Sequence, residues 1–171
     1  MRTVIVALAI FIAGPAQADV QQISYQQLPR EIRKHVDDVR ASCKELNSNF
    51  KPYEVMQGVT TIDLEGNRAL MVDNEGLCND ILPGANCSNR GCDLKIWKED
   101  RQTGWRKVFD EHLHRKFIST SPAGRFQLMA ISVYAGKPEC QPNPKEEYTS
   151  GQSCDLLVSF HNGKWIWQLI R

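Results

Sequence analysis

Four ionisable side chains in five positions, Asp110-Glu111-His112-Leu113-His114, form the densest candidate for chemistry in the chain. In an extended strand His112 and His114 share one face, with Asp110 on the same side. Two imidazoles at that spacing can hold a metal ion, and a third ligand or an activated water would then allow hydrolysis. The plainer alternative is a polar strand end in solvent. A second acidic set, Asp63, Glu65 and Asn67, stands at alternate positions and could offer oxygens to calcium. No twelve-position loop with a closing bidentate glutamate accompanies it, so a solvated turn fits better. His35 and His161 read as a surface residue and a turn residue. No Gly-x-Ser-x-Gly elbow, phosphate loop or dinucleotide fingerprint is present. The residues therefore offer a candidate metal pair, His112 and His114, with no catalytic set and no cofactor.

The cysteines point elsewhere. Residues 1–18 carry Arg2, an apolar run from Val4 to Ala13 and the small-residue pattern Ala16-Gln17-Ala18, which together read as a signal peptide. The apolar run is too short for a membrane span. The mature chain would be residues 19–171, one domain by length. Loss of Arg2 leaves 20 basic and 20 acidic residues, a formal net of zero. That balance argues against nucleic acid and against an anionic membrane as partners. All 6 cysteines follow the leader, an even count that reads as disulfides in an oxidising, periplasmic or extracellular, compartment. Zinc fits them poorly, because no second close cysteine pair exists.

A stretch of the chain is used twice. Gly66 to Met71, Cys78, Cys92-Asp93-Leu94 and Gly104-Trp105 match Gly124 to Met129, Cys140, Cys154-Asp155-Leu156 and Gly163 to Trp165. The cysteines of each copy are the same 14 residues apart. Such self-similarity bears on architecture before anything else. If equivalent positions behave equivalently, Cys78–Cys92 and Cys140–Cys154 pair, leaving Cys43–Cys87. The alternative is a local Cys87–Cys92 loop with Cys43–Cys78; the repeat favours the first set. The shared residues build turns, core and bridges, so function is expected where the copies differ: the long loops Asp73–Gly91 and Gly136–Gly151, and the segment Asp110 to Lys116.

The elements follow from periodicity. Leu28, Ile32, Val36, Val39, Cys43 and Leu46 form one stripe of a helix over 28–47, with Pro29 suited to its first turn. Shorter β-rich runs follow, near 58–63, 69–72, 93–98, 105–109, 126–133, 155–161 and 164–170. The segment 112–119 reads as a further strand or an irregular link. Asn162-Gly163 between two such runs is a type I′ hairpin signal. On the last run Trp165, Trp167 and Leu169 share one face, Ile166 and Ile170 the other, and both faces are expected to be covered. Trp97, Trp105, Trp165 and Trp167 could line a recognition surface. The core is the commoner place for them, and Trp105 and Trp165, equivalent in the repeat, are both expected there. The fold class is α+β, mainly β: an N-terminal helix on antiparallel sheets built from repeat one (59–110) and repeat two (117–171), stapled by disulfides.

The segment Thr61-Ile62-Asp63-Leu64-Glu65-Gly66-Asn67-Arg68-Ala69-Leu70-Met71-Val72 resembles the opening of FG-GAP/VCBS-type blades. More narrowly, the chain is similar to small exported alphaproteobacterial proteins. In those a cysteine-bearing helix precedes such a segment, a stretch like Cys87-Ser88-Asn89-Arg90-Gly91-Cys92 follows, and a tryptophan-rich hairpin like Phe160 to Trp167 ends the chain. The resemblance covers most of 28–171. It implies an architecture and a compartment and carries no established activity. The aspartates that make the blade turn a calcium site are mostly absent here.

These observations lead to an exported, non-catalytic binding or interaction module, with a protein as the possible partner. An inhibitor of a secreted hydrolase, inserting one of the bridged loops, is the alternative. A metal-dependent hydrolase using His112 and His114 is the third reading.

Overall fold

The computed structural model describes residues 22–46, 55–78, 87–88, 91–121, 123–141, 143–149 and 151–170. The expected leader, residues 1–18, and residues 19–21 lie outside these, as does most of the loop 79–90.

The expected helix is α1 (Arg30–Leu46), preceded by the short strand β1 (Gln22–Ser24). It starts at Arg30 and not at the expected 28, because Leu28 is extended backbone; Ile32, Val36, Val39 and Cys43 on its stripe, and Leu28 before it, all lie below a tenth exposed. Strands β2 (Val55–Leu64) and β3 (Asn67–Asp73) form a hairpin, and the one-turn helix α2 (Asn74–Leu77) follows. Strand β4 (Cys87–Ser88) leads into β5 (Gly91–Asp100) and β6 (Gly104–Leu113). The second half is a four-strand meander: β7 (Arg115–Thr120), β8 (Phe126–Tyr134), β9 (Ser153–His161) and β10 (Lys164–Leu169). The 112–119 segment is thus neither one strand nor a link. It closes β6, bends at His114 and opens β7.

All pairings between named strands are antiparallel. Sheet A runs β1-β2-β3-β5, with β4 and β6 both paired to β5, and sheet B runs β10-β9-β8-β7. Alternation in sheet A sends Ile62, Leu64, Ala69, Met71, Leu94, Ile96 and Phe109 toward sheet B. There they meet Phe126, Met129, Ile131, Leu156 and Val158. The opposite face of sheet A carries Val59, Leu70, Val72 and Trp97, which pack under the α1 stripe. The order of layers is therefore helix, sheet A, sheet B. Trp105 and Trp165 part company: Trp105 lies half-buried against the helix-side cluster, Trp165 against the inter-sheet cluster.

The bridges correct the pairing expected from the repeat. They are Cys43–Cys78, Cys87–Cys92 and Cys140–Cys154, with Cα–Cα separations of 5.8, 4.2 and 5.8 Å. Cys78–Cys92 and Cys43–Cys87 do not form. Cys87 and Cys92 stand opposite each other on β4 and β5, which puts them within bridging distance. Cys78 follows α2, which packs against α1, so it meets Cys43 on the buried stripe. The equal 14-residue gaps therefore do not carry equal bridges.

Two hairpin tips are tied together. Glu65-Gly66 and Asn162-Gly163 both take positive φ, as a type I′ turn requires. The Glu65 carboxylate accepts hydrogen bonds from the Asn162 and Gly163 amides, at 2.7 and 3.2 Å. Those bonds hold its carboxyl below the usual carboxylate range.

Candidate interaction face

Sheet B presents its inner face to the core, so alternation assigns the other set of side chains to its outer face. The register sets them in rows. Phe117 stands beside Ala130, Ala130 beside Leu157, and Leu157 beside Gln168, one residue from each strand. In the next row Ser119 pairs with Leu128, and Ser159 with Ile166. A solvated antiparallel face is ordinarily polar at these positions. Here Phe117 is 69 % exposed, Ile166 50 %, Ile170 45 % and Leu128 37 %. Full burial of such side chains is worth about 1.5–3 kcal/mol each. The matching face of sheet A obtains that burial from α1; among the described residues, no element covers this one. The expectation that both faces of the last strand are covered is thus half right: the Trp165–Trp167–Leu169 face is packed, the Ile166–Ile170 face is open.

At one end of the face lies an open groove of about 750 Å³. His114, Arg115, Phe117, Ser132, Asp155 and Ile170 are among its walls. The Ser132 hydroxyl donates to Asp155. The His114 amide donates to the Ser132 carbonyl at 2.8 Å, while its Nε2 is buried without a partner. A serine nucleophile needs its hydroxyl on the imidazole. Here the hydroxyl is turned to the carboxylate, so the trio has the composition of a hydrolytic site without its connectivity. Neighbouring Lys116 reaches Asp73 at 2.9 Å and Glu75 at 3.1 Å. Burial alone would lower its pKa, but those two carboxylates outweigh burial and raise it.

The candidate metal pair is divided by the bend at residue 114. Asp110 and His112 do share a face, on the helix side of sheet A. His112 Nδ1 lies 2.8 Å from Asp93 Oδ1, and Asp110 faces Lys95 and Lys107. The contact is poorly aligned for a hydrogen bond, since Asp93 Oδ1 is buried yet receives none. His114 belongs to the groove on sheet B instead. Among the described residues no group of three or more His, Cys, Asp or Glu is arranged to hold a metal ion. The Asp63, Glu65 and Asn67 set is engaged within the protein: Asp63 accepts from the Gly66 amide, Asn67 donates to the Leu64 and Glu65 carbonyls, and the Glu65 carboxylate is held by the Asn162–Gly163 turn.

Comparison with known proteins gives no match. No family model, curated protein or solved structure corresponds to the chain. The reading of the face therefore rests on its own geometry.

His35 is more than a surface residue. Its Nε2 lies 3.0 Å from Asn74 Oδ1, its ring is 5.3 Å from that of Trp97, and Asn74 in turn donates to Asp93 at 3.4 Å. Burial lowers its pKa from 6.5, against the opposing pull of the Asn74 hydrogen bond. The folded state thus binds this proton less readily than the unfolded chain. Stability from this source is present above the ordinary histidine value and declines as pH falls from there toward the folded value. Thermal unfolding at pH 7.5 and 5.5 should show a loss in the wild type that His35→Gln reduces, because glutamine can donate to Asn74 without titrating. An equal loss in both proteins would assign the pH dependence elsewhere.

Proposed function

We propose that this chain is an exported, non-catalytic binding module that docks a protein partner on the outer face of sheet B. The observation that carries the reading is the four large apolar side chains held open to solvent on one face, while the opposite outer face of the molecule has a helix for cover. Large apolar side chains left open on one sheet face, where polar residues are ordinarily found, favour an interaction site. Export is supported by the leader and by three disulfides, which persist in oxidising compartments. Among the described residues no helix is long and apolar enough to cross a membrane. Duplication of a β unit is supported by the parallel order of strands: β2, β3, β5 and β6 follow one another across sheet A as β7 to β10 do across sheet B.

The test separates structural from functional apolar residues. Phe117→Ser should change unfolding free energy by about 0.5 kcal/mol, and Leu128→Ser, whose side chain is more than half buried, by about 1–2 kcal/mol. The double variant should lose the complex that tagged wild-type protein forms in its own compartment, followed by native electrophoresis. A variant destabilised by several times these amounts, or one that retains the complex, contradicts the reading.

A further inference from the structure

Sheet B has a second unfinished feature, the free edge of β10. Its partner β9 occupies one side only, and among the described residues no strand pairs with the other. The two-residue turn makes His161 and Lys164 a hydrogen-bonded pair, and the Ile170 amide still donates to the Asp155 carbonyl at 2.9 Å. The phase is thereby set. Lys164, Ile166, Gln168 and Ile170 turn their backbone groups to β9. Trp165, Trp167 and Leu169 turn theirs outward. The side chains of those same three residues point into the core, yet each is only partly buried. A further strand alongside would complete both the backbone pairing and the burial.

The other edges are guarded in the usual ways. Strand β1 has 3 residues. Strand β6 carries a register shift against β5, is charged at Arg106, Lys107, Asp110 and Glu111, and has its Val108 carbonyl taken by the Trp165 indole at 2.6 Å. Strand β7 has a bulge at Ser119/Thr120 and begins with Arg115 and Lys116. Strand β10 has none of these. Its six consecutive pairs run without a shift, and Lys164 at its start is its one charge.

We propose that the β10 edge pairs antiparallel with β10 of a second copy of this chain, joining two copies of sheet B into one eight-stranded sheet. This rests on the reading of sheet B as the binding sheet. Charge favours a second copy in this orientation. Residues 165–170 are uncharged, so the strand can lie against itself. Antiparallel pairing sends the two lysines at position 164 to opposite ends, whereas parallel pairing would set them side by side. With the dyad at Trp167, Trp165 stands opposite the partner's Leu169, and Ile166 opposite the partner's Gln168. The outer faces of the two copies then lie on the same side of one sheet. The contact is isologous and closes at two copies.

Sedimentation velocity of the mature protein across micromolar to near-millimolar concentration tests this. The wild type should pass from monomer to dimer. Ile166→Lys with Gln168→Lys places lysine opposite lysine twice across the dyad and should weaken the dimer by on the order of tenfold. Ile166→Lys with Gln168→Glu places opposite charges there and should restore it. Both pairs of side chains face solvent, so the far-UV spectrum should be unchanged in each. A wild type that stays monomeric overturns the proposal. So does a dimer indifferent to the two lysines, or one that the lysine–glutamate pair fails to restore. A monomer whose Phe117 and Leu128 still govern the hetero-complex would remove the pairing alone, so the two failures are distinct.

Discussion

Replacing Cys43 and Cys78 together by alanine is expected to cost about 4 kcal/mol, since the bridge closes 35 residues of chain. The bridge ties α1 to the end of α2 and so fixes the helix over sheet A. Both sulfur-bearing side chains are fully buried, and the alanines would leave a small void at the helix–sheet contact as well. Opening Cys87–Cys92, which spans 5 residues, should cost about 2 kcal/mol in the same account. Urea unfolding of the two double variants measures the difference. Equal losses would mean that the long bridge does not restrain the unfolded chain as the argument requires. Peptide mapping of the unreduced protein checks the pairing itself. A fragment linking Cys78 to Cys92 would reinstate the arrangement expected from the repeat.

The second large effect is expected at Gly91. Its φ is +109°, and a Cβ there would stand 2.2 Å from the Leu113 carbonyl oxygen. That oxygen belongs to β6, directly across from Cys92, so the obstacle is backbone and cannot swing aside. Gly91→Ala should therefore cost about 4 kcal/mol, from a strained backbone angle and forced separation of packed chain. The damage would fall where the Cys87–Cys92 bridge, β5 and β6 meet. A melting temperature within a degree or two of wild type would show that the strand can shift without loss.

Local signals carried much of this fold in the sequence. The 4-4-3-4-3 spacing from Leu28 to Leu46 marks α1, and Asn162-Gly163 marks the last hairpin, because one depends on a single helix face and the other on a single turn. The bridges depend on something longer in range. Cys92 is bound to Cys87 because β4 lies against β5, and Cys78 reaches Cys43 because α2 docks on α1; the short Cys87–Cys92 spacing leaves this set open as the alternative, but the repeat points away from it. The division of His112 from His114 has the same origin. The alternation that would put them on one face holds only while the strand continues, and it stops at residue 114. The open face was hidden for a further reason. Phe117 lies on β7, Leu128 on β8, Ile166 on β10 and Ile170 just past its end, and only the register puts them on one face. Read singly, Ile166 and Ile170 look like the second covered face of a buried strand. What they lack is a covering element, and sequence periodicity records a side chain's direction without recording what it meets.

The most direct test of the binding face is site-specific photo-cross-linking in the cells that make the protein. A photoreactive side chain at position 117, at the open end of sheet B, is compared with one at position 44, which is exposed on α1. The face predicts a discrete adduct with another protein from position 117 and none from position 44. Adducts of equal yield from both positions, or none from position 117, would contradict it.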